Sequence, residues 1–250
     1  MIKQILGIVA LSVSMFAITN IEVAKRSDSI SDGFISSTSN MSMTLINASG
    51  QKTVREMKIK TLEGENGDMS LIEFLTPSDV KGTKMLTHEK LNKDDDQWMY
   101  LPALKRVKRI SSRNKSGSFM GSEFSYEDVA NTNYKKYTYN DDLIEVDLDG
   151  IDCYKGSRIP KDKNSGYTKQ VTWIDKNSFL VLRVDYYDRK SELLKTAIFT
   201  NYKKIKGIWR NGDITMTNHQ NGKKTILSWS NDKIDVGLKK SDFSKRKLKR

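Results

Sequence analysis

Short runs in which apolar and polar residues alternate, broken by Asx-Gly and other Asx-rich turns, constrain this chain more than any other feature. In residues 143–149, Ile144, Val146 and Leu148 fall on one side and Glu145, Asp147 and Asp149 on the other. Successive side chains of a strand point to opposite faces, so such a run buries one side and wets the other. Residues 55–62 do the same, with Met57 and Ile59 opposite Lys58 and Lys60. Residues 179–187 set Leu180, Leu182, Val184 and Tyr186 against Arg183 and Asp185. Between such runs stand Asp149-Gly150, Asp175-Lys176-Asn177, Asp188-Arg189-Lys190, Asn211-Gly212 and Asn221-Gly222. Asx-Gly pairs supply the positive φ angles of tight hairpins. Helical periodicity is scarce. About ten or eleven strands at roughly ten-residue spacing predict a mainly β chain with helices, one incomplete antiparallel barrel or strongly curved sheet.

The three prolines, at 77, 102 and 160, sit near expected strand ends, where a missing donor does least harm. Neither a Pro/Gly/Ser linker nor an internal repeat divides the body, which reads as one domain over residues 25–238. With 8 Phe, 10 Tyr and 4 Trp in 250 residues the chain can anchor a core despite an apolar share of 37%. Leu71, Ile72, Phe74 and Leu75 are apolar on both faces of their strand, as is the run 172–174, and such strands need cover on both sides. The cover is either a helix or an apolar ligand on the concave face; composition alone favours protein side chains. Residues 31–43 and 122–131 are the best helix candidates, the second with Ser122 as cap and Asp128 three residues after Ser125.

Residues 1–24 read as a targeting segment. Lys3 precedes an uncharged apolar stretch over residues 5–18, which fits a secretory signal better than a membrane anchor. Ala17 and Ala24 are the candidate cleavage ends, with Met15 and Glu22 at the respective −3 positions, and an uncleaved signal anchor is the alternative. No cysteine follows the stretch, so no lipid can be attached there. The expectation is a soluble exported protein.

The net charge of +12 is concentrated in two places. Residues 103–115 hold Lys105, Arg106, Lys108, Arg109, Arg113 and Lys115 with no acid. The tail, residues 239–250, holds seven basic residues against Asp242 and reads as disordered. These windows account for the whole excess, leaving a neutral body. The first window is either a solvated loop or a docking site for an anionic surface such as lipid headgroups. Without stacking aromatics inside it, and in an exported chain, nucleic acid is excluded as a partner.

The residues offer no catalytic set. Gly117 to Gly121 followed by Ser122 lacks the Gly-Lys-Ser/Thr ending of a phosphate loop, and no Gly-x-Ser-x-Gly elbow occurs. Asp94, Asp95 and Asp96 lack the alternate spacing, inner Gly and distal Glu of a calcium loop and read as a solvated turn. His88 and His219 are too far apart in sequence for a local metal motif, and the single Cys153 reads as a small buried strand residue. No metal or other cofactor is expected, and no enzymatic activity.

The middle of the chain carries a resemblance. Trp98-Met99-Tyr100-Leu101-Pro102, Lys105-Arg106-Val107-Lys108-Arg109-Ile110 and the run from Ser118-Phe119-Met120-Gly121-Ser122 through Glu123-Phe124-Ser125-Tyr126-Glu127-Asp128 resemble the outer membrane lipoprotein-sorting protein group, LolA/LolB-like periplasmic proteins. Looser matches, at Asp149-Gly150 with Cys153-Tyr154, from Tyr167 to Trp173-Ile174-Asp175, at Tyr186-Tyr187-Asp188 and at Leu193-Leu194-Lys195, extend it over most of the mature chain. The resemblance implies an incomplete antiparallel barrel closed by helices over an apolar cavity. It implies a periplasmic carrier that takes acyl chains of lipids or lipoproteins toward the outer membrane, or to and from an RND/MMPL-type exporter. The alternative is a non-enzymatic adaptor of such an exporter with a self-filled core; an enzyme acting on lipid or glycan is weaker still. On the carrier reading, Trp98, Tyr100, Phe119, Met120, Phe124 and Tyr126, in and beside the motif, are the cavity candidates. The basic residues 105–115 then make transient contact with a membrane surface.

Overall fold

The alternating runs pair as strands in the computed structural model, which describes residues 17–130 and 133–249. Helix α1 (Asn20–Ser29) precedes β1 (Ser36–Ile46), β2 (Lys52–Leu62), β3 (Met69–Thr76), β4 (Lys84–His88), β5 (Asp96–Leu101) and β6 (Arg106–Ile110). A long crossover leads to β7 (Tyr137–Tyr139), β8 (Ile144–Leu148), β9 (Ile151–Pro160), β10 (Lys169–Asp175), β11 (Val181–Tyr187) and β12 (Leu193–Thr200). Then follow β13 (Lys203–Ile205), β14 (Ile208–Arg210), β15 (Asp213–Asn218) and β16 (Lys224–Ile234). All strands but the β13–β14 hairpin join one antiparallel sheet of 14 strands, in the order β6-β5-β4-β3-β2-β1-β16-β15-β12-β11-β10-β9-β7, with β8 also on β9. The sheet does not close. It is an incomplete, curved barrel with α1 laid against it.

The path of the chain explains the inner face. It leaves the middle at β1, steps outward to the edge at β6, crosses to the far edge, and winds back to β16 beside β1. The crossover, described over residues 111–130 and 133–136, bridges the two edges over the inner face. There Phe119 and Phe124 are buried among Met41, Met43, Met57, Phe74, Met85 and Met99. Asp149 and Gly150 both take positive φ, +53° and +85°, in the expected turn between β8 and β9, and Gly222 takes +70° between β15 and β16. Asn211-Gly212, by contrast, links β14 to β15 without a turn or a positive φ.

Helix α1 is capped by Thr19, whose Oγ1 accepts from Glu22 N, while the Glu22 carboxylate accepts from Thr19 N at 2.8 Å. Its buried Asn20 donates from Nδ2 to the carbonyls of Ser157 (2.9 Å) and Asn140 (3.1 Å), tying it to β9. Gly156 makes this possible, since a Cβ there would lie 2.6 Å from the Asn20 carboxamide. The expected end of the targeting segment at residue 24 thus falls inside α1, where Val23 and Ala24 are buried; residues 1–16 lie outside the described residues. No helix among the described residues is long and apolar enough to cross a membrane.

Four expectations need correction. Strands are more numerous, because three-residue strands such as β7, β13 and β14 carry too little pattern to read. Residues 31–43 form no helix: Ser37, Ser39, Met41 and Met43 are buried alternately in β1, which is paired on both sides. Residues 122–130 turn without propagating a helix, because Asp128, although it accepts from Ser125 N at 2.6 Å, is also taken by Tyr167 and Lys195. The tail folds as two 3-10 segments, Lys240–Phe243 and Lys245–Lys249, with Phe243 and Leu248 fully buried. They pack on Leu71, Leu86, Trp98, Tyr100 and Val107, so the tail covers the outer faces of β3–β6, which are apolar and require it.

Candidate functional site

A cavity of about 390 Å³ lies between the inner face of the sheet, α1 and the crossover, within the range of small-molecule sites. Met41, Ile59, Ile72, Val184, Ala197, Ile214 and Leu227 line it from the strands, and Phe34, Ala24, Phe124 and Val129 close over them. Phe199, Tyr202, Trp209 and Trp229 add an aromatic wall. The strand residues reach it because one face of each alternates inward. A bulge alters this in β11: Val184 faces Thr172 and Arg183 faces Trp173, but Val181 then faces Ile174. Val181 lines the cavity in place of Leu182, against the simple alternation.

Methionines floor the core beside this cavity, among them Met57, expected on the apolar side of its strand, and Met99 of the motif, neither of which stood among the cavity candidates. Met41 stands opposite Met57, Ile72 opposite Met85, and Met85 opposite Met99. With Met43 and Met216 they form an unbranched, polarizable surface that adapts to irregular apolar shapes. The available signal was their position, each within an alternating run and on its apolar side.

Asp28, Asp32, Asp68, Tyr134, Tyr139 and Arg158 form one polar part of the lining, Arg210, Asn211 and Asp232 a second, and Ser39, Thr61, Ser70 and Thr172 interrupt the apolar wall. Asp28 accepts from Tyr134 N at 2.9 Å, and burial pushes its carboxyl up to about 6. Burial likewise raises Asp68 to about 7, with Glu89 and Glu63 adding repulsion, and raises Asp32. Arg158 donates from Nε to Gln170 Oε1 at 2.9 Å and stacks 4.1 Å over Tyr137. A chamber that sets aliphatic and aromatic side chains beside charged, hydrogen-bonding groups suits an amphiphile.

The crossover is fastened by a buried network. Lys195 Nζ meets Asp128 Oδ2 at 2.5 Å, both side chains 4% exposed, and donates to Glu123 O at 2.9 Å. Tyr167 OH donates to Asp128 Oδ1 at 2.8 Å, and Gly166 N to Glu127 Oε1 at 2.8 Å. Burial, reinforced by Asp128, raises Glu127 to about 7. Gln97 Nε2 donates to Tyr126 O at 3.0 Å, and Arg55 to the Met120 carbonyl. The long motif is therefore the segment that plugs the sheet, and its acids clamp it there.

Of the cavity candidates, Phe124 lies on the wall. Phe119, Met120 and Tyr126 pack in the adjoining core instead. Trp98 and Tyr100 point to the outer face, under the tail, because Gln97 and Met99 take the inward positions of β5. Among the basic candidates, Lys105, Arg106, Lys108, Arg109 and Arg113 are exposed, on or beside the edge strand β6 rather than in a loop. Lys115 is buried and pairs with Asp162 at 3.6 Å. The acidic turn is only partly solvated, since Asp95 meets Lys136 at 3.0 Å. Cys153 is buried in β9, as expected.

Comparison with known proteins agrees with this architecture. A family profile described as "Uncharacterized protein" matches residues 66–250. A crystal structure of a domain assigned as an outer membrane lipoprotein-sorting protein, from Vibrio parahaemolyticus, is 48% identical, with a TM-score of 0.88 over 92% of this chain and 98% of that one. A DUF1329 family protein from Desulfovibrio piger is 38% identical, with a TM-score of 0.86 over 91% of this chain and 97% of that one. A LolA superfamily protein from Nitrosomonas europaea shares the fold at 21% identity, with a TM-score of 0.76 over 92% of this chain and all of that one. No curated protein matches. At these identities and coverages, the chain belongs to the outer membrane lipoprotein-sorting protein group, with a LolA-like fold.

Proposed function

We propose that this protein is a non-enzymatic periplasmic carrier that holds acyl chains of a lipid or lipoprotein in the cavity beneath α1 and the crossover. The observation that carries this reading is the cavity itself: its sheet wall carries Met41, Ile59, Ile72, Val184, Ile214 and Leu227 among small polar residues, it is bordered by a methionine core, and charged groups line its periphery. Each buried CH₂ contributes about 0.8 kcal/mol, so shape and apolarity suffice for binding. Family membership supports the direction of traffic, toward the outer membrane, and exchange with an RND/MMPL-type exporter is the family-based extension of it.

Export is part of the proposal, with processing after Ala17 rather than Ala24. Cleavage after Ala24 would remove the Thr19 cap, the Asn20 bonds to β9 and the buried Val23. Intact mass of the exported protein distinguishes the two ends.

The test of the carrier reading is displacement of a fluorescent fatty acid by phospholipid, in the wild type and in Ala197→Phe. Ala197 is fully buried at the cavity wall, and a phenyl ring there fills the space an acyl chain needs. The expected result is tight binding by wild type and at least a tenfold loss in a variant that stays folded. Unchanged binding would favour the adaptor alternative.

A further inference from the structure

The two basic windows, distant in sequence, meet in the fold. Strand β6 is a free edge of the sheet, and the 3-10 segment Lys245–Lys249 packs against β4, β5 and β6. Leu248 forms the seam, buried with Trp98, Tyr100 and Val107. Lys245 Nζ lies 5.1 Å over the Trp98 ring, and Trp98 pairs across strands with Arg109. Beside the seam Arg109 shares the outer face of β6 with Val107, and Lys245, Arg246, Lys247 and Lys249 are exposed on the strap. Arg106 and Lys108, opposite Leu101 and Met99, are exposed on the other face of the edge strand, and Lys105 is exposed in the turn before it, so the cations line both sides of one rim. Asp96 offsets Arg109 at 2.6 Å, and Asp242 lies 3.7 Å from Lys247. The rest of the molecule is near neutral, so the excess charge collects at this rim of the sheet.

Charge on β6 alone has a simpler reading, because lysine and arginine on an edge strand discourage pairing with another chain. That reading does not reach the tail, which is no strand and exposes its cations while burying Phe243 and Leu248. From this geometry we infer that β6 and the C-terminal strap form one composite basic rim that docks the protein, edge first, onto an anionic lipid bilayer. A protein partner fits less well, since protein interfaces are depleted in lysine and this surface is mostly lysine. Clustered lysine and arginine are what anionic headgroups attract. Leu104, 53% exposed in the turn before β6, adds an apolar contact of the kind a bilayer interface accepts. The inference deepens the carrier reading by naming the surface it works on, but its test needs no cargo.

The test is co-sedimentation of the purified protein with vesicles of phosphatidylglycerol and phosphatidylcholine, against vesicles of phosphatidylcholine alone, at low and at physiological salt. Wild type should bind the anionic vesicles alone, more weakly as salt rises. The strap variant K245E/R246E/K247E and the edge variant R106E/K108E should each lose at least about tenfold in affinity at low salt, and their combination more. All five positions are exposed, so melting should match wild type; if a Glu variant melts early, the corresponding Gln variant is read, with the same direction expected. Equal binding to both vesicle types, a folded strap variant that binds as wild type does, or capture of soluble polyglutamate without vesicle binding would each overturn the inference.

Discussion

Replacing Lys195 by methionine should destabilise the protein by about 3–5 kcal/mol, the cost of stranding one member of a buried ion pair. Lys195 Nζ and Asp128 Oδ2 are 2.5 Å apart with both side chains 4% exposed, so solvent screening gives little relief. Methionine keeps the length of the lysine stem but leaves Asp128, among the described residues, with Ser125 N and Tyr167 OH as donors, and it removes the lysine's bond to the Glu123 carbonyl. For a chain of this size that loss corresponds to a fall of roughly 6–20 °C in Tm. Asp128→Asn strands the lysine instead. The double variant strands neither, so it should be more stable than the sum of the singles predicts, with a coupling of about 1–3 kcal/mol. Urea unfolding of the four proteins measures this, read at constant m. A Lys195→Met cost below about 1 kcal/mol, or additive single effects, would refute the argument that this pair clamps the crossover.

Two further outcomes follow from the same structure. Folded Asp68 and Glu127 hold their protons up to about 7 and Asp28 up to about 6, against ordinary values of 3.8 for Asp and 4.5 for Glu. The folded state therefore binds more protons between those limits, and urea midpoints should fall as pH rises from about 4 to 7, less steeply in Glu127→Gln. Gly156→Val should displace α1, because its Cβ would meet the Asn20 carboxamide; hydrogen exchange would then quicken over residues 20–29 and stay slow in β10 and β11.

The strands were legible because their signal is local. A two-residue alternation and an Asx-Gly turn act within a few residues, as at residues 55–62 and at Asp149-Gly150. Which face of a strand turns inward is not local. Shifting the assignment by one residue exchanges the faces, so Trp98 and Tyr100 looked as fit for the cavity as Gln97 and Met99, which hold the inner positions. The bulge that exchanges Val181 for Leu182 is invisible for the same reason. The two-faced run at Leu71 and Ile72 did announce cover on both sides, yet its outer partners, Phe243 and Leu248, sit in a tail whose charge masked them. The clamp at Asp128 required Tyr167 and Lys195, brought together only by the sheet order.

Occupation of the cavity by an amphiphile is tested most directly by native mass spectrometry of the protein isolated from exporting cells. The prediction is a population heavier than the bare chain by the mass of one lipid, absent from Ala197→Phe and restored to stripped wild type by added phospholipid. Bare wild-type protein that also fails to take up added phospholipid would contradict the claim.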